Sequence, residues 1–117
     1  MSPKRGDPVA APPGPGEWQI RFHTNEAIKG WEELCRQAPG NTLTAWITMR
    51  RSPAPPMNSP RHHRLSGELA TGWARGRVLN RWQIEVTGGG RVWYLVDPDT
   101  ATVWMDYAGP AHPKATG

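Results

Sequence analysis

Arg61-His62-His63-Arg64 is the densest run of reactive side chains in this sequence, and Arg81, Arg91, His112 and Lys114 follow it toward the C-terminal end. Imidazoles titrate near neutral pH and can move a proton. Guanidinium forks bind phosphate bidentately and stack on bases. A set of this kind suits a polyanion, with arginines neutralising phosphate and a histidine transferring protons. Metal chemistry has little to work with. Cys35 is the single cysteine, which excludes a disulfide framework and a cysteine zinc site. A metal nuclease wants convergent carboxylates, and only Glu85 and Asp106 fall within strand patterns on candidate open faces.

Charge distribution supports the polyanion reading. The net charge of the 117-residue chain is +4. From Arg50 to Arg91 there are eight arginines and only Glu68 and Glu85 as acids, so the middle carries +6 and the remainder is slightly negative. Eleven of the fourteen cations are arginine. Clustering of one sign is the expected footprint of nucleic-acid binding. The length fits one domain with one modest core. No N-terminal apolar region and no long apolar run appears, which predicts a cytoplasmic protein without membrane contact.

The elements that must position these residues are legible as patterns. Residues 1–16, with five prolines and almost nothing to bury, are expected to form a disordered tail outside a domain spanning 17–117. Trp18 to His23 reads as a short strand. Thr24 or Asn25 can cap a helix beginning at Glu26, with Ala27, Trp31, Leu34 and Ala38 at helical spacing and Pro39-Gly40 as the stop. Asn41 can cap a second helix carrying Leu43, Trp46, Ile47 and Arg50 on one stripe. The proline-rich stretch 52–60 cannot be helix or central strand and divides a helical half from a strand half.

Alternation then dominates. Trp82, Ile84 and Val86 share one face of a strand, against Arg81, Gln83 and Glu85. Val92, Tyr94 and Val96 oppose Arg91, Trp93, Leu95 and Asp97, and Val103, Met105 and Tyr107 oppose Thr102, Trp104 and Asp106. Glu68 to Trp73 and Arg77 to Leu79 can form another hairpin around Arg75-Gly76. Gly88-Gly89-Gly90 lacks the following helix that a phosphate loop requires, so it is a turn. The order predicts an α+β fold: an N-terminal strand, a helical hairpin, then an antiparallel meander with helices packed on one face. Trp82, Ile84, Val86, Val92 and Tyr94 should face the helices, and Arg64, Arg81, Arg91 and His112 should ring the open side.

Arg64-Leu65-Ser66-Gly67, Trp82-Gln83-Ile84-Glu85-Val86, Arg91-Val92-Trp93-Tyr94, Val103-Trp104-Met105 and the segment Gly109 to Lys114, taken with this element order, resemble the RelE/ParE superfamily of type II toxins. The resemblance spans about residues 18 to 115. It implies a toxin that cuts messenger RNA on the ribosome, using the RNA's 2′-hydroxyl as nucleophile and needing neither metal nor cofactor. It further implies a cognate antitoxin protein as partner. Catalytic roles would fall to Arg91, His112, Arg64 and Arg81, and RNA contacts to Arg61, His62, His63 and Lys114. Two departures stand out. The stretch Glu68 to Asn80 is longer than the family pattern, so Arg81 competes with Arg91 for one role, and His62 and His63 stand where lysines are common. A ParE-like gyrase inhibitor and a nonenzymatic nucleic-acid-binding module are the alternatives.

Overall fold

The computed structural model describes residues 3–111 and 113. Its elements run β1 (Gln19–Phe22), α1 (Asn25–Gln37), α2 (Pro39–Arg51), β2 (His62–Arg64), β3 (Thr71–Ala74), β4 (Arg77–Glu85), β5 (Arg91–Asp97) and β6 (Thr102–Gly109). The six strands form one sheet in the order β1-β6-β5-β4-β2, with β3 also paired to β4. All pairings are antiparallel except β1 with β6. Both helices pack on one face, giving the α+β fold that the alternation demands.

Local signals start and stop the helices. Thr24 caps α1, its hydroxyl accepting from the Ala27 amide at 3.0 Å. Ala38 breaks the helical path, and α2 then begins at Pro39 rather than after Asn41. Proline suits a first helical turn, where its missing N–H would be unpaired in any case. Thr42, Ala45, Met49 and Arg50 are the buried positions of α2, whereas Leu43 is 55% exposed. The buried stripe thus differs from the expected one: Trp46 sits at the margin, its ring 4.2 Å from the Arg50 guanidinium, and Ala45 and Met49 face the core in its place.

Ile28, Trp31, Leu34 and Met49 meet Trp82, Ile84, Val92, Tyr94, Val103 and Met105 in the main core. Close approach of α1 to β6 depends on Gly30, where a Cβ would fall 1.4 Å from the Ala108 carbonyl oxygen. A smaller cluster of Ala74, Leu79, Leu95 and Trp104 occupies the other face. It forms because β4 is one continuous nine-residue strand, longer than the separate strands expected at Arg77 and Trp82, and the β3–β4 hairpin extends past β2.

The proline-rich N-terminal segment does not stand apart from the domain. Val9 is only 4% exposed and belongs to the main core. The Gly6 amide donates to the Phe22 carbonyl at 2.7 Å, the Phe22 amide to Asp7 at 3.0 Å and the Val9 amide to Ile20 at 2.7 Å. Arg50 fastens the segment further, donating to the Pro12 carbonyl at 2.8 Å and to Glu17 at 2.7 Å. Composition alone underrates this segment because a strand edge supplies hydrogen-bond partners that a free tail lacks. Among the described residues no helix is long and apolar enough to cross a membrane.

Candidate functional site

Strand alternation sends the two adjacent histidines to opposite faces. His62 pairs with Ile84 and His63 with Gln83, so His62 joins the helical side and His63 the open side. His62 Nε2 contacts the Tyr94 hydroxyl, which itself donates to the Pro53 carbonyl at 2.7 Å. The imidazole therefore ties the proline-rich loop to the core. Burial pulls the His62 pKa below 6.5, the Pro53 carbonyl opposes that shift, and His63 adds to it. Burial also raises the Tyr94 phenol well above 10. Arg61 lies beside His62 in a groove of about 300 Å³ between α2 and β4, away from the open face. Arg64 pairs with Trp82 and donates to the Ala70 carbonyl at 2.9 Å, so by register it falls on the helical side rather than the open side.

On the open face, a chain of hydrogen bonds runs across three strands. Trp93 Nε1–H donates to Gln83 Oε1 at 2.8 Å. That bond orients the Gln83 amide so that its NH₂ faces His63 Nε2 at 3.3 Å. His63 Nδ1 lies 2.9 Å from the Arg64 carbonyl oxygen. A carbonyl can only accept, and an amide NH₂ can only donate, so the bonds are consistent with a single tautomer: His63 carries its proton on Nδ1 and presents a lone pair on Nε2. The imidazole is partly buried and its basic nitrogen faces the side of the sheet without helices.

Tyr107 joins this group through a β-bulge. The register of β5 and β6 shifts between Trp93 and Tyr94, so Trp93 pairs with Tyr107 while Tyr94 pairs with Met105. Asp106 is the additional residue, and its insertion moves Tyr107 from the core parity to the Trp93 side. The two rings lie 5.8 Å apart at 56°. Burial, then the charge of Glu26, raises the Tyr107 pKa above 10, and its hydroxyl donates to the Ala111 carbonyl at 2.9 Å. Strict alternation predicts Tyr107 in the core. No sequence signal marks the bulge, and Gln83 gains its meaning only from the cross-strand register.

Arg81 and Arg91 both lie on the open face of neighbouring strands, so neither displaces the other. Arg81 pairs with Asp106 at 2.8 Å and also donates to the Leu69 and Thr71 carbonyls at 3.1 and 3.0 Å. Gly72 makes room for it, because a Cβ there would meet the Arg81 guanidinium at 2.4 Å. Arg91 is buried, donates to the Thr87 and Gly90 carbonyls at 3.0 Å each, and lies 3.6 Å from Glu85. Each arginine thus meets a carboxylate and two backbone carbonyls. His112 and Lys114 lie outside the described residues. Among the described residues no cluster of histidine, cysteine and carboxylate groups could hold a metal ion.

The structure links His63 to Gln83, Trp93 and Tyr107, places Arg81 and Arg91 on the same face with partners of their own, and sets Arg61, His62 and Arg64 apart. Compared with protein-family models, curated proteins and solved structures, the chain gives no significant match.

Proposed function

We propose that this protein is a cytoplasmic toxin of a type II toxin–antitoxin system, of the RelE/ParE kind, which cleaves messenger RNA on the ribosome without a metal. The observation that carries this reading is the Trp93–Gln83–His63 chain, which presents a lone-pair nitrogen on the helix-free face of the sheet. His63 Nε2 accepts only a long bond from Gln83, which an incoming 2′-hydroxyl can replace.

In the proposed reaction His63 Nε2 takes the proton of that hydroxyl, and the 2′-oxygen attacks the adjacent phosphorus. The bond from phosphorus to the 5′-oxygen breaks, leaving a 2′,3′-cyclic phosphate and a 5′-hydroxyl. As that bond breaks the 5′-oxygen takes the phenolic proton of Tyr107, which the raised pKa holds on the phenol until then, and the proton gained by His63 returns through solvent to Tyr107. Arg81 supplies positive charge nearby, oriented by Asp106. Arg91, Arg64, Arg61, His62, His112 and Lys114 are the further residues that the resemblance nominates, and an acidic antitoxin would complement the basic middle of the chain.

Brief induction followed by analysis of transcript integrity tests the reading. Cleaved transcripts with wild type, and intact transcripts with His63→Ala, are the expected results. A second reading, ParE-like inhibition of DNA gyrase, is favoured by one observation: Arg81 and Arg91 are both engaged by carboxylates and backbone carbonyls. Intact transcripts with double-strand DNA breaks would support it. Growth without arrest would leave a nonenzymatic nucleic-acid-binding module.

A further inference from the structure

A second basic feature lies at the β1 end of the open face, apart from the His63 group. The N-terminal segment runs along the outer edge of β1, held by the backbone bonds of Gly6, Asp7 and Val9. Facing it, the β3–β4 hairpin turns at Arg75-Gly76, both with positive φ (54° and 77°). The Arg75 guanidinium sits 5.0 Å over the Trp104 ring, and its Nη2 would be 3.3 Å from a Cβ on Gly6. Between segment and hairpin opens a cleft of about 570 Å³, lined by Lys4, Arg5, Arg75, His23, Asn25 and Trp104 among others. That size falls within the usual range of about 300–1,000 Å³ for ligand sites.

The electrostatics differ from those at Arg81 and Arg91. Among the described residues no carboxylate lines the cleft. Among the described residues none forms an ion pair with Lys4, Arg5 or Arg75, and all three are exposed. Asp7, the nearest acid in sequence, accepts from the Lys4 backbone amide at 2.8 Å. Arg75 is also an unexpected residue for its position. A two-residue turn with positive φ at both centres favours Asn-Gly, and a long cationic side chain there carries a conformational cost. Three converging cations suit the phosphates of a nucleic-acid backbone, and Trp104, 7% exposed beneath the Arg75 guanidinium, holds that cation in place at the cleft wall.

We propose that this cleft binds phosphates of a single-stranded RNA, as an extension of the strand presented to His63. The phosphate chemistry stands on the cleft itself, whereas the assignment to an RNA strand rests on the nuclease reading. Trp104 pairs with Leu95, and Leu95 with Arg81, so the cleft lies on the same face of the sheet as His63, with the buried Leu95 and Trp104 between them.

The test is fluorescence anisotropy with the full chain and a labelled ten-nucleotide RNA carrying 2′-O-methyl groups, which cannot be cleaved. Arg75→Asn removes the charge but keeps a residue that accepts positive φ. That variant and Lys4→Ser/Arg5→Ser should each weaken binding about five- to tenfold. The slope of log affinity against log salt should fall by roughly 0.7 for each phosphate that the variant leaves unneutralised. Arg36→Gln, on α1 away from the cleft, should change neither quantity. Unaltered affinity and slope in both cleft variants would overturn the site. A mononucleotide that binds as tightly as the ten-mer would overturn the strand assignment. Because the probe cannot react, weaker binding by the variants supports the cleft even if wild type cuts no transcript. Cleavage by wild type with binding unchanged in the variants removes the cleft and spares the nuclease.

Discussion

His63 and His62 are neighbours with opposite fates, and two predictions follow from the environments that separate them. If His63 is the base, His63→Ala should lower the rate of RNA cleavage by about 10²- to 10⁴-fold, the usual worth of a positioned acid or base. Gln83→Leu, which removes the amide that faces Nε2, should reduce the rate less and alter its pH profile, measured with purified ribosomes and a defined transcript. A Gln83→Leu profile identical to wild type would show that the amide does not set the imidazole. For His62 the expected effect is on stability. Its folded pKa lies below 6.5, so the unfolded chain binds the proton more readily. The bonds of the neutral ring are fully available above pH 6.5 and the fold weakens as pH falls from there. The thermal midpoint should therefore drop on acidification, and His62→Gln should flatten that dependence.

Among the elements, α1 comes close to β6 at Gly30, which leaves no room for a side chain. Gly30→Ala would place a methyl group within 1.4 Å of the Ala108 carbonyl oxygen, so the helix must shift. Overpacking of this kind costs about 2–3 kcal/mol, and urea unfolding should show that decrease in stability. An unchanged midpoint would mean that α1 floats on the sheet. The β-bulge at Asp106 is the other decisive feature, because one extra residue exchanges the faces available to Tyr107. Alternation made the strands and their core faces legible, since Trp82, Ile84, Val92 and Tyr94 lie where a period of two places them. It could not reveal the bulge, because an inserted residue leaves no pattern in a single sequence.

For the molecule as a whole, the N-terminal segment alters what counts as the domain. Val9 completes the core beside β1, and Arg50 anchors the chain through Pro12 and Glu17. Val9→Ala should cost about 1–2 kcal/mol. Such a cost corresponds to a fall of several degrees in thermal midpoint, about 4–8 °C per kcal/mol for a domain near this size. A midpoint equal to wild type would place residues 3–16 outside the cooperative unit. Docking of this segment also builds one wall of the basic cleft, so fold and charge distribution depend on the same contacts.

Local patterns alone were enough for the class of fold, the helical hairpin with a cap at Thr24 or Asn25, the core faces of the central strands and the excess of arginine in the middle of the chain. Those features follow from local propensity and from short periods, which neighbouring residues specify. Tertiary structure decided which charged groups have partners and which histidine faces the open side. It also decided that Arg81 meets Asp106, and that residues far apart in the chain, Arg5 and Arg75, line one cleft. Ion pairing and convergence depend on strand order, register and a single bulge, and these arise from contacts between segments that no local pattern encodes.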